Sequence, residues 1–330
     1  VKDHRYHYVE TGSLISEKKN IKDILIPSEE KKIHVYPMDY EEFCLATNNN
    51  YEILKQIASS GKGLGESTNR KLMRDLRIYM AVGGMPQAVE EYLESNNLSR
   101  VDAVKREILE LYHADFKKID PTGRASMMFD AIPAQLTGNA MRYQVSSVDD
   151  NSRAGQVLEL IAEMVDSGTV NIAYHANDPS VGFAMHKDLE VFKLYLCDTG
   201  LFVTLSFWDK KFTDNILYQK LLNDKMSTDL GYVYENVVAQ MLVAEGNELF
   251  YHTFQSGTSH HNHEIDFLLS RDSKICPIEV KSSNYKRHAS FDEFCKKFSA
   301  RILHKYIIYT KDLRKEQDVM YLPTYMSQFL

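Results

Sequence analysis

Glu264-Ile265-Asp266-Phe267-Leu268-Leu269 and Cys276-Pro277-Ile278-Glu279-Val280-Lys281, joined through the polar turn Arg271-Asp272-Ser273-Lys274, are the residues on which the reading of this chain turns. Both runs alternate as half-buried strands do. Ile265, Phe267 and Leu269 are expected on one core face, with Glu264 and Asp266 opposite. Cys276, Ile278 and Val280 are expected inward, with Glu279 and Lys281 opposite. The thirteen-residue spacing from Asp266 to Glu279 suits neighbouring strands, so the two carboxylates should lie side by side. An acid and a base two residues apart on a largely apolar strand are costly to bury unless they serve each other or a ligand.

Glu235 adds a third acid. Its i+3, i+4 and i+7 neighbours on a helix expected over about Thr228–Ala244 are Val238, Ala239 and Leu242, which turns Glu235 inward. Three carboxylates and one ammonium then meet at a sheet edge. Hard oxygen ligands of this kind suit Mg²⁺ or Mn²⁺. The candidate catalytic residues are Glu235, Asp266, Glu279 and Lys281, with Asp266, Glu279 and Glu235 as the metal ligands and Lys281 to orient an attacking water or neutralise charge. Spacing alone fits a structural salt-bridge cluster equally well.

The same α/β pattern continues around this site. Strands are expected at Leu249–Phe254, Glu264–Ser270, Ile275–Ser282 and Ile302–Thr310, with a helix at Phe291–Phe298, giving a compact unit over 211–330. Upstream, 141–210 reads as a winged-helix-like unit. One helix carries Val157, Leu158, Ile161, Ala162 and Val165 on its apolar face, Gly168 caps it, and strands follow at Val170–Tyr174 and Phe192–Leu196. Asp149, Asp150, Glu159, Glu163 and Asp166 make that helix acidic, which favours packing against protein over reading DNA. Residues 47–140 form a helical region, in which Leu72, Leu76 and Met80 share a face, Gly83-Gly84-Met85-Pro86 ends one helix and starts the next, and helices follow at Ala88–Leu93, Val101–Phe116 and Arg124–Leu136. Residues 1–46 show a strand-like run from His7 to Ile15, a second at Lys32–Tyr36, and a short helix capped by Asp39. Two strands cannot bury a sheet, so an α/β core is expected to begin upstream.

Composition bounds the function. The 330 residues are 44% hydrophobic and 26% charged, which excludes wholesale disorder and predicts two or three domains. No run is long and apolar enough to span a membrane, and no secretory signal opens the chain. The four cysteines form no C-x-x-C pair, and a soluble, reducing, cytoplasmic setting is expected. A net charge of −7 hides a basic segment: Arg271–Lys315 has twelve Lys or Arg against five Asp or Glu, a balance of +7, leaving −14 for the rest. Such a segment is either a solvated face or the footprint of a nucleic acid, and Lys286, Arg287, Lys296 and Lys297 follow the acid–lysine strand where phosphate contacts would be wanted. His252, His260, His261 and His263 fit a polar hairpin loop better than a zinc site.

Glu235, then Glu264-Ile265-Asp266, then Ile278-Glu279-Val280-Lys281 resembles the PD-(D/E)xK nuclease superfamily, whose pattern is a helical acid, an Asp on one strand and Asp/Glu-x-Lys on the next. A wider set of runs is similar to prokaryotic AAA/STAND-like ATPases: Thr11-Gly12-Ser13-Leu14, Tyr36–Phe43, Gly83-Gly84-Met85-Pro86, Ile132–Leu136, Lys193–Leu201 and Gly231–Asn236. These resemblances imply an α/β multi-domain chain: a remnant of a P-loop ATPase core at 1–46, a helical lid at 47–140, a winged-helix-like domain at 141–210 and a restriction-endonuclease-like domain at 211–330. They imply that Thr11 and Ser13 lie near the sensor end of a core strand and that Gly83, Gly84 and Pro86 touch nucleotide. Walker A and Walker B motifs are absent from the sequence, so ATP is expected only with the missing P-loop half. The expected function is the C-terminal part of an AAA-like ATPase with a metal-dependent, nuclease-like domain acting on or binding nucleic acid; the alternative is a regulatory scaffold with an inert nuclease fold.

Overall fold

The computed structural model of the protein describes residues 33–138, 141–145, 154–209, 215–222, 231–256 and 262–330. Thr11, Ser13, His260 and His261 lie outside these residues, as does Lys32.

The N-terminal half is helical. The elements are α1 (Tyr40–Ala46), α2 (Glu52–Ser60), α3 (Glu66–Val82), α4 (Pro86–Ser95), α5 (Leu98–Ile119), α6 (Arg124–Asp130) and α7 (Ile132–Thr137). Asp39 caps α1 as expected and does so reciprocally: its carboxylate accepts from Glu42 N–H at 2.8 Å while Glu42 accepts from Asp39 N–H at 3.0 Å. Ile33–Tyr36 form no strand; Ile33 and Val35 are exposed, with no strand beside them to pair with among the described residues. The single helix expected over Arg124–Leu136 is two, divided at Ala131, because Pro133 has no N–H to continue the first.

Helix α8 (Ala154–Asp166) leads through Gly168, at φ 70°, into β1 (Val170–Ala176) and β2 (Lys187–Leu196). Then come α9 (Thr199–Leu205), α10 (Asn215–Leu222), α11 (Gly231–Ala244), β3 (Leu249–Gln255), β4 (Asn262–Arg271), β5 (Lys274–Val280), α12 (Ala289–Lys297), β6 (Lys305–Tyr309), β7 (Arg314–Glu316) and β8 (Val319–Pro323), with a closing 3-10 turn at Thr324–Phe329.

Among the described residues the eight strands belong to one mixed sheet in the order β2-β1-β3-β4-β5-β6-β8-β7. The β1–β2 hairpin is therefore not the wing of a separate unit. Ala173, Tyr174 and His175 of β1 pair in parallel with Leu249, Phe250 and Tyr251 of β3, so the hairpin extends the C-terminal sheet. The expected boundary near residue 210 cuts that sheet. The antiparallel signature of a hairpin is the same whether it stands alone or joins a sheet, which is why pattern alone did not place it.

One register slip bears on the site. Phe250 pairs with Leu268 but His252 pairs with Ile265, so Tyr251 faces two residues, Asp266 and Phe267. This bulge breaks the expected alternation. Ile265 and Leu268 join a cluster beneath α12 with Phe291 and Phe294, whereas Phe267 and Leu269 join the main core with Val237 and Val238 of α11. Bulges commonly re-aim a side chain beside a functional site.

Candidate functional site: a carboxylate cluster with two lysines

Helix α11 is buried on nearly every side, and polar side chains fix its rotation. Asn236 Oδ1 accepts Leu196 N–H at 3.0 Å and its Nδ2 donates to Thr199 Oγ1 at 3.0 Å. Gln240 Oε1 accepts from Thr199 N–H at 2.9 Å, and its amide donates to Tyr79 on α3 at 2.9 Å. With those two residues pinned to the β2–α9 junction, Glu235 is held facing the sheet.

There it meets Glu264 and Asp266. One carboxylate oxygen from each of Glu235, Glu264 and Asp266 lies within 4.8 Å of the others. Two oxygens on opposite sides of an octahedral Mg²⁺ sit about 4.2 Å apart, so the cluster has the scale of an ion site. The structure brings together the expected Glu235 and Asp266, with Glu264, outside the expected ligand set, as the third acid. Asp266 Oδ2 accepts Val280 N–H at 2.7 Å, which ties it to β5. The neighbouring pair Phe267–Ile278 puts Asp266 opposite Glu279 in register, as the spacing predicted.

Glu279 is 5% exposed. Its Oε1 is 2.6 Å from Lys281 Nζ, while its Oε2 is buried with no hydrogen-bond partner among the described residues. A buried carboxylate oxygen left unmet costs more than the roughly 1–3 kcal/mol of a neutral group. Burial raises the Asp266 and Glu279 pKa values; Glu279 adds most to the rise at Asp266 after burial itself, and Lys281 opposes both. Burial lowers the Lys281 pKa less than Glu279 and Asp266 raise it.

Two site residues escaped the sequence reading. Lys193, on β2, is 5% exposed, and its ammonium bonds Glu264 Oε1 and, at 3.3 Å, Glu235 Oε1. Burial opposes that charge, but Glu235, Glu264 and Asp266 outweigh it and raise the Lys193 pKa. Glu264 is pushed up to about 7 by burial, against the pull of Lys193. Tyr195, two residues on, donates its hydroxyl to Glu235 Oε1 at 2.5 Å. The available signal was a lysine inside the apolar run Phe192–Leu196, which a buried strand carries only with a partner.

Other expected site residues have different surroundings. Gly83 and Gly84 are buried in a helix joint: Gly84 N–H donates to Asp198 at 2.5 Å, and a Cβ on Gly84 would meet Met38 O at 2.1 Å. Pro86, exposed, opens α4. His252 bonds Ala176 O at 2.7 Å and burial lowers its pKa to about 4; His263 bonds Ser290 at 2.5 Å and lies 3.5 Å from Glu293. In the basic segment Lys281, Arg301, Lys305 and Arg314 have acidic partners, while Lys286, Arg287, Lys296 and Lys297 are exposed. Among the described residues no helix is long and apolar enough to cross a membrane.

A family model described as a domain of unknown function (DUF4143) matches residues 230–325, and a second domain of unknown function (DUF8612) matches 73–211. No curated protein matches the chain. A solved structure, the crystal structure of protein VC1899 from Vibrio cholerae, is 8% identical, with a TM-score of 0.22 over 78% of this chain and 58% of that one; a likeness that distant carries no argument. This chain thus spans little more than half the length of that protein. DUF4143 is found C-terminal to AAA ATPase domains in many bacterial proteins, a setting with which the match to the last third of this chain is loosely consistent.

Proposed function

We propose that the C-terminal sheet carries a Mg²⁺- or Mn²⁺-dependent phosphodiesterase site acting on nucleic acid, working with a P-loop ATPase half. The observation that carries the reading is the unmet, buried Glu279 Oε2 beside the carboxylate group of Glu235, Glu264 and Asp266. With all groups ionised, four carboxylates against Lys193 and Lys281 leave a formal −2, the charge one divalent cation neutralises. Asp266 and Glu279 would hold the ion, with Glu235 beside them. A divalent ion bound there polarises a phosphodiester and lowers the pKa of a bound water. Lys281, on a side chain 25% exposed, is placed to orient the attacking water or meet charge developing on the phosphorus oxygens. The exposed Lys286 and Arg287 in the loop after β5, and Lys296 and Lys297 at the end of α12, would supply phosphate contacts.

The test is cleavage of DNA and RNA by the purified chain with Mg²⁺ or Mn²⁺. Asp266→Ala and Lys281→Ala are each expected to abolish it. Absence of any cleavage with either metal by the unaltered chain removes the catalytic form of the proposal.

One observation favours a second reading, an inert regulatory scaffold: Lys193 already answers Glu235 and Glu264. Calorimetric titration with Mn²⁺ separates the two, because a scaffold held by internal ion pairs takes up no ion.

A further inference from the structure

Lys193 has a geometry that neither the acid–lysine pattern nor a plain salt bridge explains. Its ammonium is buried to 6% side-chain exposure and bridges two carboxylates from different elements, Glu235 of α11 and Glu264 of β4. In the sheet, β1 and β3 stand between its own strand and β4, which carries Glu264, and its partner in register on β1 is Ala173. Tyr195 closes the remaining side by donating to the same Glu235 oxygen, and the Tyr251 ring lies 5.4 Å from the ammonium. An ammonium and a divalent ion compete for the same oxygens, and here the ammonium is covalently supplied.

The acids therefore divide into two positions. At one, Glu235 Oε1 and Glu264 Oε1 are bridged by Lys193. At the other, Glu279 Oε2 is buried and unmet, and Asp266 uses Oδ2 for Val280 N–H. We propose that Lys193 is a built-in substitute for a second divalent ion, so that the cluster takes a single ion, at Asp266 and Glu279, where the wholly acidic arrangement would take two. Lys193 is a positioning residue: it fixes the stoichiometry of the site and keeps Glu235 and Glu264 from swinging toward the bound ion. The inference rests on the metal-binding reading above.

Calorimetric titration of the full chain with Mn²⁺ alone tests it, with circular dichroism to check the fold. The unaltered chain is expected to bind one Mn²⁺, and Lys193→Met two. Glu279→Gln, which keeps the substitute in place, is expected to bind none. Two ions on the unaltered chain, one on a folded Lys193→Met, or one on Glu279→Gln would each overturn the proposal while leaving metal binding intact. No ion on the unaltered chain would instead overturn the metal-binding reading itself. If Lys193→Met fails to fold, the stoichiometry of the unaltered chain and of Glu279→Gln decides.

Discussion

Two buried residues far from the acid cluster show how individual side chains hold this molecule. Lys105 is fully buried, donating to Ala81 O at 2.6 Å, Gly200 O at 3.1 Å and Tyr218 Oη at 3.0 Å, and burial lowers its pKa from 10.5 to about 8. Between those values the unfolded chain binds more protons than the folded one, so this group makes stability rise with pH across that window. Measured against Lys105→Met by urea unfolding, the unaltered chain is expected to gain up to about 3 kcal/mol from below pH 8 to above pH 10.5. Gly200 makes a different demand. A Cβ there would sit 2.5 Å from Gly83 N and Cα, backbone atoms that cannot step aside. Gly200→Ala is expected to cost at least about 1–3 kcal/mol, read as a lowered melting temperature.

At the scale of elements, α11 is the part that sets the site. Asn236→Ala leaves the buried Leu196 N–H without its acceptor and removes one of the two bonds at Thr199 Oγ1, which keeps Gln240, and is expected to cost about 1–3 kcal/mol in urea unfolding. Because the same bonds fix the rotation of Glu235, the metal-binding proposal further expects Mn²⁺ affinity to fall with it. Much of this level was legible in the sequence. The helix faces, the Gly83–Pro86 break, the Asp39 cap and the pairing of β4 with β5 all follow from periodicity and local turn chemistry. The inward Glu235 followed from three apolar neighbours. What was not legible depends on distant partners. No local pattern marks the slip opposite Tyr251, since a bulge reads as ordinary alternation until the facing strand is known. Lys193 of β2 meets Glu264 of β4 although β1 and β3 lie between the two strands, a proximity that residue spacing does not encode. Ile33–Tyr36 have strand composition but nothing to pair with among the described residues.

For the molecule as a whole, the sheet overrides the divisions that composition suggests. Residues 211–330 alone would lack β1 and β2, baring the β3 edge and the apolar face that those strands cover. That fragment is expected to aggregate on size-exclusion chromatography or to melt without a cooperative transition, whereas a fragment beginning at residue 141 keeps the sheet whole. The helical half is joined to the same body: Asn69 of α3 donates to Thr310 O at 3.1 Å and accepts from Tyr325 Oη at 3.0 Å. The DUF4143 match begins at residue 230 and includes all four acids, yet Lys193 lies upstream of it. A recombination event that moved only the matched stretch would carry Lys281 with Glu279 but hand its recipient Glu235 and Glu264 without the cation that bridges them. Such a descendant must recruit another ion, neutralise an acid by mutation, or bring the hairpin along, so the ancestry of this chemistry should be traced through β2 as much as through the acidic strands.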